Sequence, residues 1–149
     1  MISIEKLKNV NRGQYITELN PAASRHPEIT APMIAFRGDK DVQEANLGAG
    51  FAYLVEPFVM IDAAHKHNFD QFLYFIGGDP NNFTEFDAEI ELTLDGKVNS
   101  ITYASCVFIP KGLMHCPLIV KRVSKPVIFI DARITKEASV RPALKKSGK

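Results

Sequence analysis

The sequence predicts an all-β protein, and three observations carry the prediction. From residue 31 onward the chain is a succession of short apolar or alternating runs, β-branched and aromatic residues fill those runs, and Gly, Pro, Asn and Asp separate them. Runs of this length are too short and too regularly broken for helices, and they fit a sandwich or barrel.

The elements follow in chain order. The first thirty residues are mixed, with "SIEKLKNV" (3–10) reading as a short helix in an otherwise irregular segment. Strands are expected in "APMIAF", "GFAYLVEPFVMI", "FLYFIGG", "AEIELTLDG", "ITYASCVFIP", "PLIVKRV" and "PVIFIDARI". The clearest alternation runs from Ala88 to Leu94, where Ala88, Ile90, Leu92 and Leu94 take one face and Glu89, Glu91 and Thr93 the other. Asp95-Gly96 after it is a hairpin turn signal. "GGDPNNFTEFD" (77–87) is the one long polar insertion, rich in turn formers, and is expected at the surface. Three segments result: residues 1–30 as an extension packing on the barrel, 31–135 as the barrel, and 136–149 as a basic tail.

At 149 residues and 46% hydrophobic composition, the chain can bury one core of its own. Eighteen Lys and Arg against 17 Asp and Glu leave a net charge of +1, so no strong field would draw in nucleic acid or an anionic membrane. The sequence holds no apolar run of some 18 residues, and Glu5 interrupts what a signal peptide would need as its apolar region. Two cysteines, Cys106 and Cys116, are too few for a disulfide framework and suit a reducing compartment. A cytoplasmic protein is expected.

Chemistry concentrates in "HKHNFDQ", His65 to Gln71. His65 and His67 stand two apart in a run expected to be extended, so both imidazoles point to one side while Lys66 points to the other. Both can reach one ion at roughly 2.0–2.1 Å. Downstream stands "PKGLMH", Pro110 to His115, whose Pro110 and Gly112 form a turn that would bring a distant histidine beside the first pair.

These two stretches resemble the motifs of the cupins. His65, His67, Gln71 and Gly78 fall at the positions of the first cupin motif, and Pro110, Gly112 and His115 at those of the second. Gln71 replaces the usual acidic ligand, Phe58 and Val59 stand near the leading glycine's place, and Ala104 and Ile119 stand at the second motif's Gly and Asn. The resemblance implies a double-stranded β-helix, a jelly-roll barrel whose sheets enclose a pocket. It further implies a divalent transition metal such as Fe, Zn, Mn or Ni, held by His65, His67 and His115 with Gln71 as a fourth donor, and a homodimer. An amide in place of a carboxylate leaves the site one charge more positive.

Other residues join the list of candidates. Glu89 is a general base or missing anionic ligand if its strand face lines the cavity; otherwise that face is solvated. Tyr74 is a hydrogen-bonding partner for a ligand, and Phe69, Phe72 and Met60 are candidates to narrow the pocket around a small molecule. Asp70 reads as a turn cap, and His26 lies outside every motif. If the strand after "PKGLM" is regular, Cys116 points away from His115 and is no ligand. The expected function is a metal-dependent enzyme acting on a small oxygen-bearing organic molecule, by dioxygenation or else isomerase or lyase chemistry. A non-catalytic small-molecule-binding barrel with a structural metal is the alternative.

Overall fold

The computed structural model describes residues 8–24, 26–29 and 32–136. Strands β1 (Val10–Asn11) and β2 (Thr17–Glu18) form a small ribbon. The body follows as β3 (Ile34–Arg37), β4 (Gly48–Leu54), β5 (Phe58–Ile61), β6 (Gln71–Gly77), β7 (Ala88–Leu94), β8 (Lys97–Ile101), β9 (Ser105–Ile109), β10 (His115–Val123) and β11 (Val127–Arg133). One sheet has the order β5-β10-β7-β8 and the other β3-β4-β11-β6-β9, with every pairing antiparallel. Among the described residues no helix is long and apolar enough to cross a membrane.

One apolar core lies between the two sheets. Leu54, Leu73, Phe75 and Val127 enter it from the five-stranded sheet, and Ala88, Ile90, Leu92, Leu118 and Val120 from the four-stranded one. Period-2 alternation explains the sorting: in β6 the odd positions Gln71, Leu73, Phe75 and Gly77 are buried while Phe72, Tyr74 and Ile76 face outward. The fold is the jelly-roll arrangement that the two motifs imply.

Several details differ from the sequence reading. "GFAYLVEPFVMI" is two strands, because the break around Pro57, which cannot donate to a ladder, sends β4 and β5 into different sheets. "ITYASCVFIP" also divides, ending β8 at Ile101 and starting β9 at Ser105. "KVNSI", polar on both faces and so without an apolar signature, is β8. Asp95 and Gly96, with φ of 50° and 78°, form the left-handed two-residue turn expected before it. Of the helix read over 3–10, residues 3–7 lie outside the described residues, and Val10 pairs with Glu18 in a ribbon instead. Nearly all of the basic tail, 137–149, is also outside them.

The two motifs are tied together by backbone geometry. At Gly78, a Cβ would stand 2.8 Å from the Pro126 carbonyl oxygen, which accepts the Gly78 N–H at 2.9 Å, so only glycine fits between these chains. Gly112, at φ 88°, lets the "PKG" turn fold back, and its N–H donates to the His67 carbonyl at 2.9 Å. Asp70 caps that same turn by accepting the Lys111 N–H at 2.9 Å.

Candidate metal centre

His65 and His67 lie in the link between β5 and β6, and His115 begins β10. An isolated antiparallel bridge joins them: His65 N–H donates to the His115 carbonyl at 3.0 Å and His115 N–H to the His65 carbonyl at 2.9 Å. Lys66 is exposed while its neighbours are half-buried, the alternation expected of an extended HxH. The ring centroids stand 4.3 Å apart for His65–His115, 4.8 Å for His65–His67 and 5.1 Å for His67–His115. One ring nitrogen from each lies within 4.8 Å of the others, so a small side-chain adjustment brings all three to ligand distance of one ion.

The tautomers are set by the backbone. His65 Nδ1 meets the Ala63 carbonyl at 3.0 Å and His115 Nδ1 the Leu113 carbonyl at 2.9 Å. A carbonyl only accepts, so each Nδ1 carries the proton and each Nε2 keeps its lone pair. Burial pushes the His115 imidazole below its usual range, the Leu113 carbonyl pulls it partly back, the nearby His65 lowers it further, and Asp131 raises it. The net effect favours the neutral ring that a metal requires. His67 stacks on buried Phe69, with centroids 4.6 Å apart and planes 15° from parallel.

Gln71, at the start of β6, lines the same cavity as the three histidines. Its Nε2 donates to Asp131 Oδ1 at 2.8 Å; since a carboxylate accepts only, the amide oxygen must face the other way. That Oε1 and the Nε2 of His115 are buried without a hydrogen-bond partner among the described residues. Each unmade bond costs about 1–3 kcal/mol, and a cation coordinated by both would offset the cost. The donor set of three imidazoles fits a divalent transition metal.

Asp131 is a residue the sequence reading missed, and it acts through Gln71. Asp131→Asn is expected to lower metal affinity about 10- to 100-fold, because it leaves the amide free to turn. Titration with a chromogenic chelator checks this, and Asp79→Asn, a surface carboxylate, serves as control.

Other expected site residues lie elsewhere. Glu89 is on the outward face of β7, opposite buried Ala88 and Ile90, where its carboxylate accepts the Ser100 hydroxyl at 3.1 Å; it does not line the cavity. Tyr74 is on the outward face of β6, opposite Cys106 of β9, whose nearby thiol raises the phenol's pKa. Phe72 also faces outward, its ring 5.1 Å from that of Phe108. All three follow strand parity: once Ala88 and Gln71 face inward, residues an odd number of positions along the same strand face outward.

Cys116 departs in the opposite direction. The register of β10 shifts between His115 and Leu118, and Cys116 adopts φ 83°, so His115 and Cys116 both face the cavity. Burial pushes its thiol up to about 12, so it stays protonated and is no thiolate ligand. The N-terminal extension also reaches the site: His26 and Ile29 line the cavity, which has a volume of about 370 Å³.

No family model and no curated protein sequence matches the chain. Solved structures do match. A putative ethanolamine utilization protein from Salmonella typhimurium is 14% identical with a TM-score of 0.48, covering 87% of this chain and 94% of that one. An RmlC-like cupin from Shewanella frigidimarina is 15% identical with a TM-score of 0.43, over 91% and 86%. KdgF from a Halomonas species is 16% identical with a TM-score of 0.47, over 74% and 83%. The likeness to these structures is one of fold, and the chain's own geometry draws "HKHNFDQ" and "PKGLMH" together between two antiparallel sheets, as the resemblance of its two motifs to those of the cupins implies.

Proposed function

We propose that this protein is a metal-dependent cupin enzyme acting on a small oxygen-bearing organic molecule. The observation that carries the reading is the pair of buried, unpartnered ligand atoms, His115 Nε2 and Gln71 Oε1, at the wall of a cavity large enough for a small molecule. A bound divalent metal would supply Lewis acidity toward substrate oxygens. The protein's own part is to hold neutral imidazoles in one tautomer, aim the Gln71 oxygen through Asp131, and line the far end of the cavity with apolar groups such as Met33, Met60 and Phe129 that exclude water. An all-neutral donor set suits substrates that bring their own negative charge, and oxidation by dioxygen with iron is the first chemistry to test. Isomerase or lyase chemistry with another metal comes second.

The test begins with elemental analysis of the purified protein, before and after supplementation. A stoichiometric transition metal lost in a triple His→Ala variant is expected; its absence from the wild type would remove the reading. Oxygen uptake and product analysis over a screen of small carbonyl and carboxylate compounds then separate oxidation from isomerisation, and binding without turnover would leave a non-catalytic barrel.

The working unit is a homodimer paired through the outer face of the five-stranded sheet. Two complete ladder rows there are free of charge: Ile34–Phe51–Ile130–Tyr74–Cys106 and Phe36–Ala49–Ala132–Phe72–Phe108. Phe51, Tyr53, Tyr74 and Phe108 are between 37% and 52% exposed, a contiguous apolar patch of the kind that marks an interface. A second copy is the expected occupant. Light scattering should give twice the chain mass for the wild type and the chain mass for Phe108→Lys; a monomeric wild type would overturn the pairing.

A further inference from the structure

The ladder facing the cavity carries charge that the metal site does not use. Across the five-stranded sheet the register sets Arg37 opposite Gly48, Gly48 opposite Arg133, and Arg133 opposite Gln71, so two arginines flank a glycine in one row with the Gln71 donor at its end. Paired residues share a face, and Arg37, Arg133 and Gln71 all line the cavity. Neighbouring strands are about 4.8 Å apart, which separates the two arginine Cα atoms by about 10 Å. Gly48 lets the Arg133 guanidinium lie across the row toward Arg37: Arg133 Nη2 and Nε are 3.4 and 3.8 Å from where a Cβ at Gly48 would stand.

Arg133 is 6% exposed, and among the described residues its Nε has no hydrogen-bond partner. Its nearest carboxylate, Asp131, stands 3.9 Å from Nη1 and is already accepting from Gln71. A buried guanidinium so weakly paired is costly, and a planar two-oxygen anion satisfies its fork geometry. Charge along the wall points the same way. Arg37, Lys40 and Arg133 face the cavity against the single carboxylate of Asp131, and the metal set brings no anionic donor. The next inward rows, Ala35–Gly50–Asp131–Leu73 and then Ala52–Phe129–Phe75, turn progressively apolar.

From this row we infer that the cavity takes a small organic acid, its carboxylate gripped by Arg133 and Arg37 and its hydrocarbon body lying toward Met33 and Phe129. The inference rests on reading this cavity as the substrate site, but it does not need the metal: the guanidiniums bind the carboxylate whether or not the histidines are loaded.

Calorimetric titration of the metal-free and the metal-loaded protein with hexanoate, hexanamide and inorganic phosphate tests it. Hexanoate is expected to bind both forms at least tenfold more tightly than hexanamide or phosphate, and Arg133→Met to lose at least tenfold in both. Arg133→Lys, keeping charge without the fork, should recover part of the loss. Hexanamide binding as well as hexanoate, or an Arg133→Met protein with wild-type melting and wild-type hexanoate affinity, would overturn the inference. Phosphate binding more tightly than hexanoate would overturn the carboxylate assignment. If Arg133→Met does not fold, half-buried Arg37→Gln carries the test, with a threefold or larger loss expected and none overturning it. A protein that keeps no metal yet binds hexanoate through Arg133 sinks the metal reading alone; one that keeps its metal and ignores hexanoate sinks this inference alone.

Discussion

His115→Ala is expected to lower transition-metal affinity at least about 100-fold while leaving the metal-free fold within on the order of 1 kcal/mol of the wild type. The asymmetry comes from where the ring sits. His115 is 3% exposed, with its Nε2 unpartnered among the described residues, so in the metal-free protein its removal gives up the Nδ1–H bond to the Leu113 carbonyl but also relieves one unmade bond, and the two effects largely offset. Its backbone bridge to His65 survives the substitution, because both hydrogen bonds run main chain to main chain. With metal present the balance reverses: at a hundredfold excess over Kd, binding stabilises the wild type by about 2.7 kcal/mol, and the variant should lose nearly all of it. Thermal melts with and without metal read both halves, and exposed Lys66→Ala is the matched control. Equal metal-induced stabilisation of His115→Ala and wild type would place the ion elsewhere.

How much of this was legible before the structure depends on which signal each residue carries. His65, His67 and His115 were readable because sequence spacing alone sets their geometry: an extended HxH points both rings one way, and a Pro-Gly turn returns the third. The outward placement of Glu89, the solvated alternative of the sequence reading, and of Tyr74 was available from parity, since Ala88 facing inward turns Glu89 out and Gln71 facing inward turns Tyr74 out. Asp131 and Arg133 also left a mark. They share parity with Val127 and Phe129 in "PVIFIDARI", so two charges sit on the core side of an apolar strand, which is itself a sign of a lined cavity. Other features had no local signature. The bulge that turns Cys116 inward is a property of β10 pairing with β7 and β5, and the row Arg37–Gly48–Arg133–Gln71 joins four strands whose register no single segment encodes.

Phe75→Ala should produce the largest loss of stability, about 3–5 kcal/mol in urea unfolding with an unchanged denaturant slope. Phe75 is fully buried at the middle of β6, its ring 5.2 Å from that of Phe129 and part of the core between the sheets. Truncation removes both its transfer free energy and its contacts, and a β-strand pinned on both sides by β11 and β9 cannot collapse to refill the space. Phe72→Ala, three positions away on the outer face against Phe108, should cost roughly 1 kcal/mol or less in the monomer. The contrast isolates burial from ring chemistry, because both residues pair with another phenylalanine on the same sheet. Phe75 also stands four residues from Gln71, about 13 Å along the strand, so below its melting temperature the Phe75→Ala protein should still take up metal with wild-type stoichiometry. Loss of metal in a folded Phe75→Ala protein would mean that the apolar and polar ends of the cavity are mechanically coupled. A stability change no larger than that of Phe72→Ala would mean that the inward face of β6 is not the packed one.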